Sequence, residues 1–478
     1  MAMPFYSQYC LLVSEIERRY AVAQWKQRDV DIWPLARMSL YLDMYWANAG
    51  GPPVKPHRWP PLQIVARLMR PLINIWRSRY DLAHFCLWPK RRHAIFLGDG
   101  VCLDLVSRSW RDRIAEPLIV ALGRRGQESF LMQGGGFSRL PYLRPTFAAN
   151  IAQGWGDLIA SLLPRRAHLP EHEDVVRFLA ENGVAAPSLR RTGLEDCAAQ
   201  TDGAAMVFMW ILGIVRPDIA FVTRYFTGLG PAFVLACRRR GILSVDLQCA
   251  PLQGAPMAYV WDSVPSHNLV PDMFWLWTQA DVESVEHWAN GRAFHGGYIP
   301  QADVAAPNVL DEGFDKEILI ALQPVAGCRD IWEALADAVD DSQANWRWWI
   351  RRHPASTPAQ DEEFGRLLSL RRPGVMMTKA SEPLSQLLHR MHAVVSLGSG
   401  TAVEAAMFGV PSLFLSPAAQ MPFGDLIASG AARVIDVRMI NDVIATLNST
   451  SNLAPEPPDL DSALAYLESL ANAHRVTT

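Results

Sequence analysis

From residue 93 onward, short apolar runs alternate with stretches whose apolar positions recur at helical spacing. His93–Gly98, Ser129–Gln133, Asp218–Thr223 and Leu243–Gln248 predict strands. Between the last two, Gly230–Arg240 has the period of a helix, and Gly241 ends it. Strand, helix, strand in that order is the building unit of a parallel sheet covered by helices. Phe274–Thr278 and Gly296–Pro300 predict the last strands of this half. Residues 301–316 are polar and aperiodic, as a linker would be. The alternation then resumes, with strands at Glu317–Gln323, Arg347–Arg351, Val375–Thr378, Ala393–Leu397, Pro411–Leu415 and Arg433–Val437. Arg329–Asp340, Ala359–Leu370, Pro383–Met391 and Gly400–Phe408 suit the intervening helices. A proline-rich stretch, Ala454–Pro458, leads to a final helix at Asp459–Ala473.

Upstream of residue 93 the pattern is helical. Ser7–Lys26 and Ile32–Trp46 carry helical spacing, with Pro34 in a first turn that tolerates it. Ala47–Pro60 is a loop by its Gly and Pro content. Leu62–Tyr80 interleaves Arg67, Arg70, Arg77 and Arg79 with apolar residues, and Pro71 kinks or splits it. Together with Lys90–Arg92, such a surface suits anionic lipid, and a solvated basic face is the plainer alternative. The chain therefore divides into a helical region at 1–92, an α/β half at 93–300, a second at 317–450, and a linker with a helix at 451–478.

Composition narrows the class. The 478 residues carry 45 Lys+Arg against 48 Asp+Glu, a formal net charge of −3 that argues against a general nucleic-acid binder. Half the residues are hydrophobic and 19% are charged, so the chain has ample apolar material for cores of its own. The seven cysteines are scattered, with no C-x-x-C pair, which fits a reducing compartment rather than a disulfide framework or a zinc site. The N-terminus lacks the layout of a signal peptide. The most apolar run, Ala204–Val215, is shorter than the roughly 20 residues of a membrane span and predicts a buried helix. The expected location is cytoplasmic, with peripheral contact at the inner membrane as an added expectation.

The most informative stretch is Ala393–Ser416, in which a strand enters Gly398-Ser399-Gly400-Thr401, a helix follows, and Gly409-Val410-Pro411 leads to another strand. The glycines permit a tight turn and close approach of a ligand. Free N–H groups at the helix start, with the Ser399 and Thr401 hydroxyls, suit a phosphate. Glu404, one turn later, is placed to accept hydrogen bonds from sugar hydroxyls. Arg351-Arg352-His353-Pro354 follows another strand, where ligands bind in open α/β folds, and its imidazole and guanidinium groups suit a phosphate oxygen. A capped turn and a basic strand end are the corresponding structural readings. No H-E-x-x-H, G-x-x-x-x-G-K-[ST] or G-x-S-x-G occurs, and Gly134-Gly135-Gly136 lacks dinucleotide spacing.

Ser-Gly-Thr-Ala, then Glu404-Ala405 and Gly409-Val410-Pro411, resembles the C-terminal domain of GT-B glycosyltransferases, whose two Rossmann-like domains face each other across a cleft. The "HP" of His353-Pro354 is similar to that of bacterial surface-polysaccharide enzymes such as polysialyl-, Kdo- and CDP-glycerol transferases. The resemblance implies an α/β GT-B fold with an N-terminal helical extension and a C-terminal helix. It also implies donor binding by Arg351, Arg352, His353, Ser399, Gly400, Thr401 and Glu404. In the first half, Gln248 and Tyr259 match a Gln-His-Gly…Tyr pattern of capsule transferases. Cys249 and Ala250 replace its His and Gly, leaving Gln248 a cleft-lining residue or a plain strand-end one. Asp99 in Gly98-Asp99-Gly100 resembles an acidic-Gly motif and is the expected general base, with Asp246 the weaker candidate and a plain turn the alternative. Arg111–Pro117 is a second charged cluster near Asp99.

The implied function is sugar transfer from a nucleotide sugar, with a cytidine or uridine nucleotide favoured, to a glycan or lipid-linked acceptor. The expected course is inverting and metal-independent, without a cofactor. The other candidates are a nucleotide-sugar 2-epimerase and a catalytically silent glycan-binding module.

Overall fold

Two parallel sheets organise the chain in a computed structural model. It describes residues 5–48, 91–106, 108–134, 142–252, 256–262, 267–298, 314–323, 327–353, 358–378, 382, 384–420, 423–447 and 458–477. Leu62–Tyr80, Lys90 and Pro354 lie outside the described residues.

The first sheet has seven strands: Ala94–Gly98 (β1), Ser129–Gln133 (β2), Thr146–Ala148 (β3), Ile219–Thr223 (β4), Leu243–Leu247 (β5), Met273–Leu276 (β6) and Ala293–His295 (β7). Across the sheet they run β3-β2-β1-β4-β5-β6-β7. The register sets Ala94 against Ser129 on one side and Ile219 on the other. Strands β1, β4 and β5 are buried along their whole length, so their apolar runs are nearly continuous.

The second sheet has six strands: Lys316–Ala321 (β8), Trp346–Arg351 (β9), Val375–Met377 (β10), Ala393–Ser396 (β11), Ser412–Phe414 (β12) and Ala432–Val434 (β13). Their order is β10-β9-β8-β11-β12-β13. In both sheets the first strand is central and the order reverses beside it, the doubly wound arrangement of a Rossmann-like unit.

The helices used below are Phe5–Arg19 (α1), Trp33–Asn48 (α2), Ala115–Arg124 (α3), Asn150–Leu162 (α4), Arg191–Val215 (α5), Gly230–Arg239 (α6), Gln279–Ala289 (α7), Arg329–Asp340 (α8), Thr401–Met407 (α9) and Leu460–Thr477 (α10). Tyr9 and Ile16 of α1 and Trp33 and Leu40 of α2 share one apolar core with Phe208 of α5 and Phe233 of α6. On the other face of the sheet, Leu464, Leu467 and Ala471 of α10 pack with Phe96, Phe221 and Val245. The N-terminal helices and the last helix, set apart as separate regions by their sequence pattern, thus complete the first unit. The second unit comprises the described residues of 314–447 with Asp104–Val106.

Two further differences have physical causes. The predicted strand at Gly296–Pro300 is instead Ala293–His295. The glycines after it lie over an indole: a Cβ on Gly296 would be 2.1 Å from Trp275, whose Nε1 donates to Gly297 O at 2.9 Å. The helix predicted at Ala359–Leu370 breaks at Phe364, which is buried and packs edge-on against Trp332. Ala204–Val215 is the end of the longer α5, the one described helix long and apolar enough to cross a membrane, and 67% of its most apolar window is buried.

Candidate functional site

In open parallel sheets, the crevice for a ligand opens at the carboxyl ends of the two strands where the order reverses. In the first unit these are β1 and β4. Asp99 follows β1 and Arg224 follows β4, and Arg224 Nη1 donates to Asp99 Oδ2 at 3.2 Å. Arg224 has a left-handed backbone (φ +59°) that turns the chain across this edge. Gly98 leaves room for two polar side-chain ends, since a Cβ would be 2.0 Å from Asp112 Oδ2 and 2.4 Å from Gln133 Oε1 and would displace them. Asp112, within the predicted charged cluster, is structural: its Oδ1 accepts from the N–H of Ile114 and Ala115 at the start of α3. Glu116 of that cluster pairs with Arg144 at 2.7 Å.

Asp246 and Gln248 do not face this edge as open groups. Asp246 is fully buried in β5. It accepts from Tyr259 Oη at 2.5 Å and from the Tyr225 N–H at 3.4 Å. Burial pushes its carboxyl up to about 7, opposed by the Tyr259 hydrogen bond. A group so enclosed cannot reach an acceptor hydroxyl, which removes it as a base. Gln248 has its amide engaged on both sides. Nε2 donates to Ala250 O (3.1 Å) and Asp281 Oδ2 (3.2 Å), and Oε1 accepts from the Trp277 N–H (2.7 Å). The cavity beside it, also lined by Arg113, Trp275 and Tyr298, measures about 10 Å³, room for a single water. Gln248 therefore ties β5 to β6 and α7, and the space it borders is too small for a nucleotide. Tyr259, the other matched residue, is the buried partner of Asp246.

In the second unit the order reverses between β8 and β11. Gln323 follows β8 and donates through Nε2 to Gly398 O at 2.9 Å, bridging the two strand ends. Gly398 has φ +144°, and a Cβ there would come within 3.2 Å of Ala419 Cβ. The turn is less open than free N–H groups would make it. The buried Ser396 hydroxyl accepts from the N–H of Gly398 (3.3 Å) and Ser399 (3.1 Å). Ser399 Oγ accepts from the Thr401 N–H at 3.3 Å and donates to Thr401 Oγ1 at 3.1 Å. Gly400 precedes α9, and Glu404 in that helix is buried.

The second predicted element follows β9, one strand beyond β8 and two from β11. Arg351 ends β9, and its Nη1 donates to Glu382 O at 2.8 Å. Arg352 pairs with Asp361 at 3.3 Å, which cancels part of the positive potential expected there. His353 is exposed at its outer edge, and partial desolvation lowers its pKa below the ordinary histidine value, which favours the neutral ring with one N–H to donate. Among the described residues, no three His, Cys, Asp or Glu side chains gather as a metal site.

Sequence reading missed Arg224 and Gln323, each a polar residue just past a buried strand. Their signal was position alone, and it becomes visible only once the strand order is known.

No family model matches the chain, and no curated protein matches it in sequence. Solved structures do align. The S. aureus MnaA–UDP co-structure matches over 79% of this chain and 96% of its own, with 13% identity and a TM-score of 0.51. A Listeria monocytogenes protein described as a UDP-N-acetylglucosamine 2-epimerase matches over 81% and 98%, with 15% identity and a TM-score of 0.50. The glycosyltransferase of kitacinnamycin aligns over 81% and 96%, with 15% identity and a TM-score of 0.43. At such identities the likeness is one of fold. The chain has the α/β GT-B fold, with two Rossmann-like units.

Proposed function

We propose that the protein is a nucleotide-sugar glycosyltransferase acting on a glycan or lipid-linked glycan, by a single inverting displacement without a metal. The supporting observation is where the candidate residues fall. Asp99 lies at the switch point of the first sheet. The Ser399–Thr401 turn lies at that of the second, with His353 after β9, one strand beyond β8. In this scheme Asp99 takes the proton of the acceptor hydroxyl, whose oxygen attacks the anomeric carbon as the bond to the nucleotide phosphate breaks. The neutral His353 N–H and the Ser399 and Thr401 hydroxyls donate to the leaving phosphate, Arg351 and Arg352 add positive potential, and Glu404 holds a sugar or ribose hydroxyl. Gln248 supports the first sheet and is left out of the donor site.

A second reading, 2-epimerisation, is favoured by the two alignments at or above 0.50, both to proteins whose descriptions carry UDP or a UDP-sugar epimerase activity. One incubation separates the readings. Nucleotide released only when an acceptor glycan is present supports transfer. Interconversion of UDP-N-acetylglucosamine with its 2-epimer, without acceptor, replaces transfer by epimerisation. Neither product, with nucleotide still bound, leaves a silent binding module. Thermal shift against CMP, CDP, UDP, GDP and dTDP identifies the base: a ligand at 100 times its Kd stabilises by about 2.7 kcal/mol. A response to cytidine or uridine nucleotides is expected, and a response to GDP alone overturns the donor assignment.

A further inference from the structure

Helix α4 buries only part of its apolar surface. Ala152, Gly156 and Ala160 face α5 so closely that a Cβ on Gly156 would lie 2.7 Å from Ala204 Cα. Turning around the helix axis from that seam, Trp155, Leu158 and Leu162 follow at spacings of three and four residues. They are 36%, 42% and 82% exposed, while Gln153, Asp157 and Ser161 occupy the opposite arc. An apolar arc wider than its covered part marks a surface that meets something other than water. On the neighbouring α5, Trp210 is likewise 45% exposed.

The charge beside this face selects the partner. Directly past Leu162 the chain continues through Pro164 to Arg165 and Arg166, both exposed. The start of α5 adds exposed Arg190 and Arg191, and Arg191 Nη2 donates to Ala167 O at 2.7 Å, which holds it beside the same helix end. Asp196, paired with Arg165 at 2.7 Å, and Glu195, paired with Arg191 at 3.4 Å, offset part of these four cations. A tryptophan and two leucines next to an excess of arginine are the two signals that seat a helix in the interface of an anionic bilayer. A second copy of the chain would set the same arginines against each other.

We infer that α4 docks the protein on an anionic lipid surface, with Trp155, Leu158 and Leu162 inserted at headgroup depth and the arginines on lipid phosphate. This placement is independent of the reaction proposed above.

The test is flotation of the full-length protein with vesicles of phosphatidylcholine alone or with one quarter phosphatidylglycerol, at low and high salt. Binding is expected on the anionic vesicles and is expected to weaken at high salt. Leu158→Ser with Leu162→Ser should lower the partition at least tenfold, with unchanged circular dichroism and melting because both side chains are exposed. Arg165→Glu with Arg166→Glu should remove the salt-sensitive part. Equal binding by the leucine variant overturns the inference. So does loss of binding only when Arg67, Arg70, Arg77 and Arg79 are replaced, which would move the contact to that segment. Dimers in light scattering that dissociate in the leucine variant, without vesicle binding, would make the face a contact between copies.

Discussion

The buried Asp246 allows a prediction with a defined sign. A carboxyl whose pKa moves from 3.8 to about 7 on folding makes the folded chain keep a proton that the unfolded chain has lost. Its contribution is therefore fully present below the ordinary carboxylate range and is lost as pH rises from about 4 to about 7, with no further change above. At about 1.4 kcal/mol per pH unit, the full loss is on the order of 4 kcal/mol. An opposite slope partly hides it. Burial of the His267 ring lowers its pKa, so the fold loses stability as pH falls below the ordinary histidine value. Asp246→Asn removes the first slope and leaves the second. The amide can still accept one of the two hydrogen bonds from Tyr259 and Tyr225, and losing the other shifts stability equally at every pH. Melting of the parent and the variant should be followed at pH 5, 6, 7 and 8. The variant should gain on the parent steadily to pH 7 and then hold, by several degrees in all, since about 1 kcal/mol moves a unit of this size by about 1–2 °C. A difference independent of pH, or one shrinking as pH rises, would refute an aspartate held protonated by burial.

Three further outcomes are expected. His353→Ala should reduce turnover by roughly 10²–10³, the usual loss for one preorganised donor to a developing anion, and should weaken nucleotide binding by calorimetry without unfolding the chain. Asp99→Asn should abolish transfer while leaving nucleotide affinity intact, and unchanged turnover would return Asp99 to a turn residue paired with Arg224. Cys102, buried, shares a thiol hydrogen bond with Cys249. Diamide should therefore join that pair before any other, accepting two hydrogens as the disulfide forms; peptide mapping under non-reducing conditions that finds a different first disulfide would contradict the contact.

The strands were legible where they are buried on both sides, because a continuous apolar run such as Ala94–Gly98 or Leu243–Leu247 has few other uses. The edges were not. Ala293–His295 is half-exposed and is followed by glycines whose purpose, making room for Trp275, cannot be read without knowing where that ring lies. The site shows the same division. Ser399, Thr401 and His353 stand at strand ends that the pattern locates, so their placement followed from local sequence. Gln248 also stands at a strand end, yet its partners Trp277 and Asp281 come from the next strand and helix, and only they decide that its amide is occupied. Arg224 and Gln323 went unread because an ion pair or bridge across a switch point joins segments with no sequence relation.

The last helix has a consequence for how the chain is made. Helix α10 covers Phe96, Phe221 and Val245 with Leu464, Leu467 and Ala471, and its Glu468 accepts from Arg125 and Gln127, both at 2.8 Å. During synthesis, the strands it packs on, among them β1, β4 and β5, are made well before their cover. Every strand of the second sheet, the last ending at Val434, is made before α10, and until then the part of this face that α3 does not cover stays exposed. A nascent chain halted after the second unit, or a protein trimmed at its C-terminus, would carry that face into the cell uncovered and invite chaperones or aggregation. The first unit is thus completed by a segment made only after the second unit.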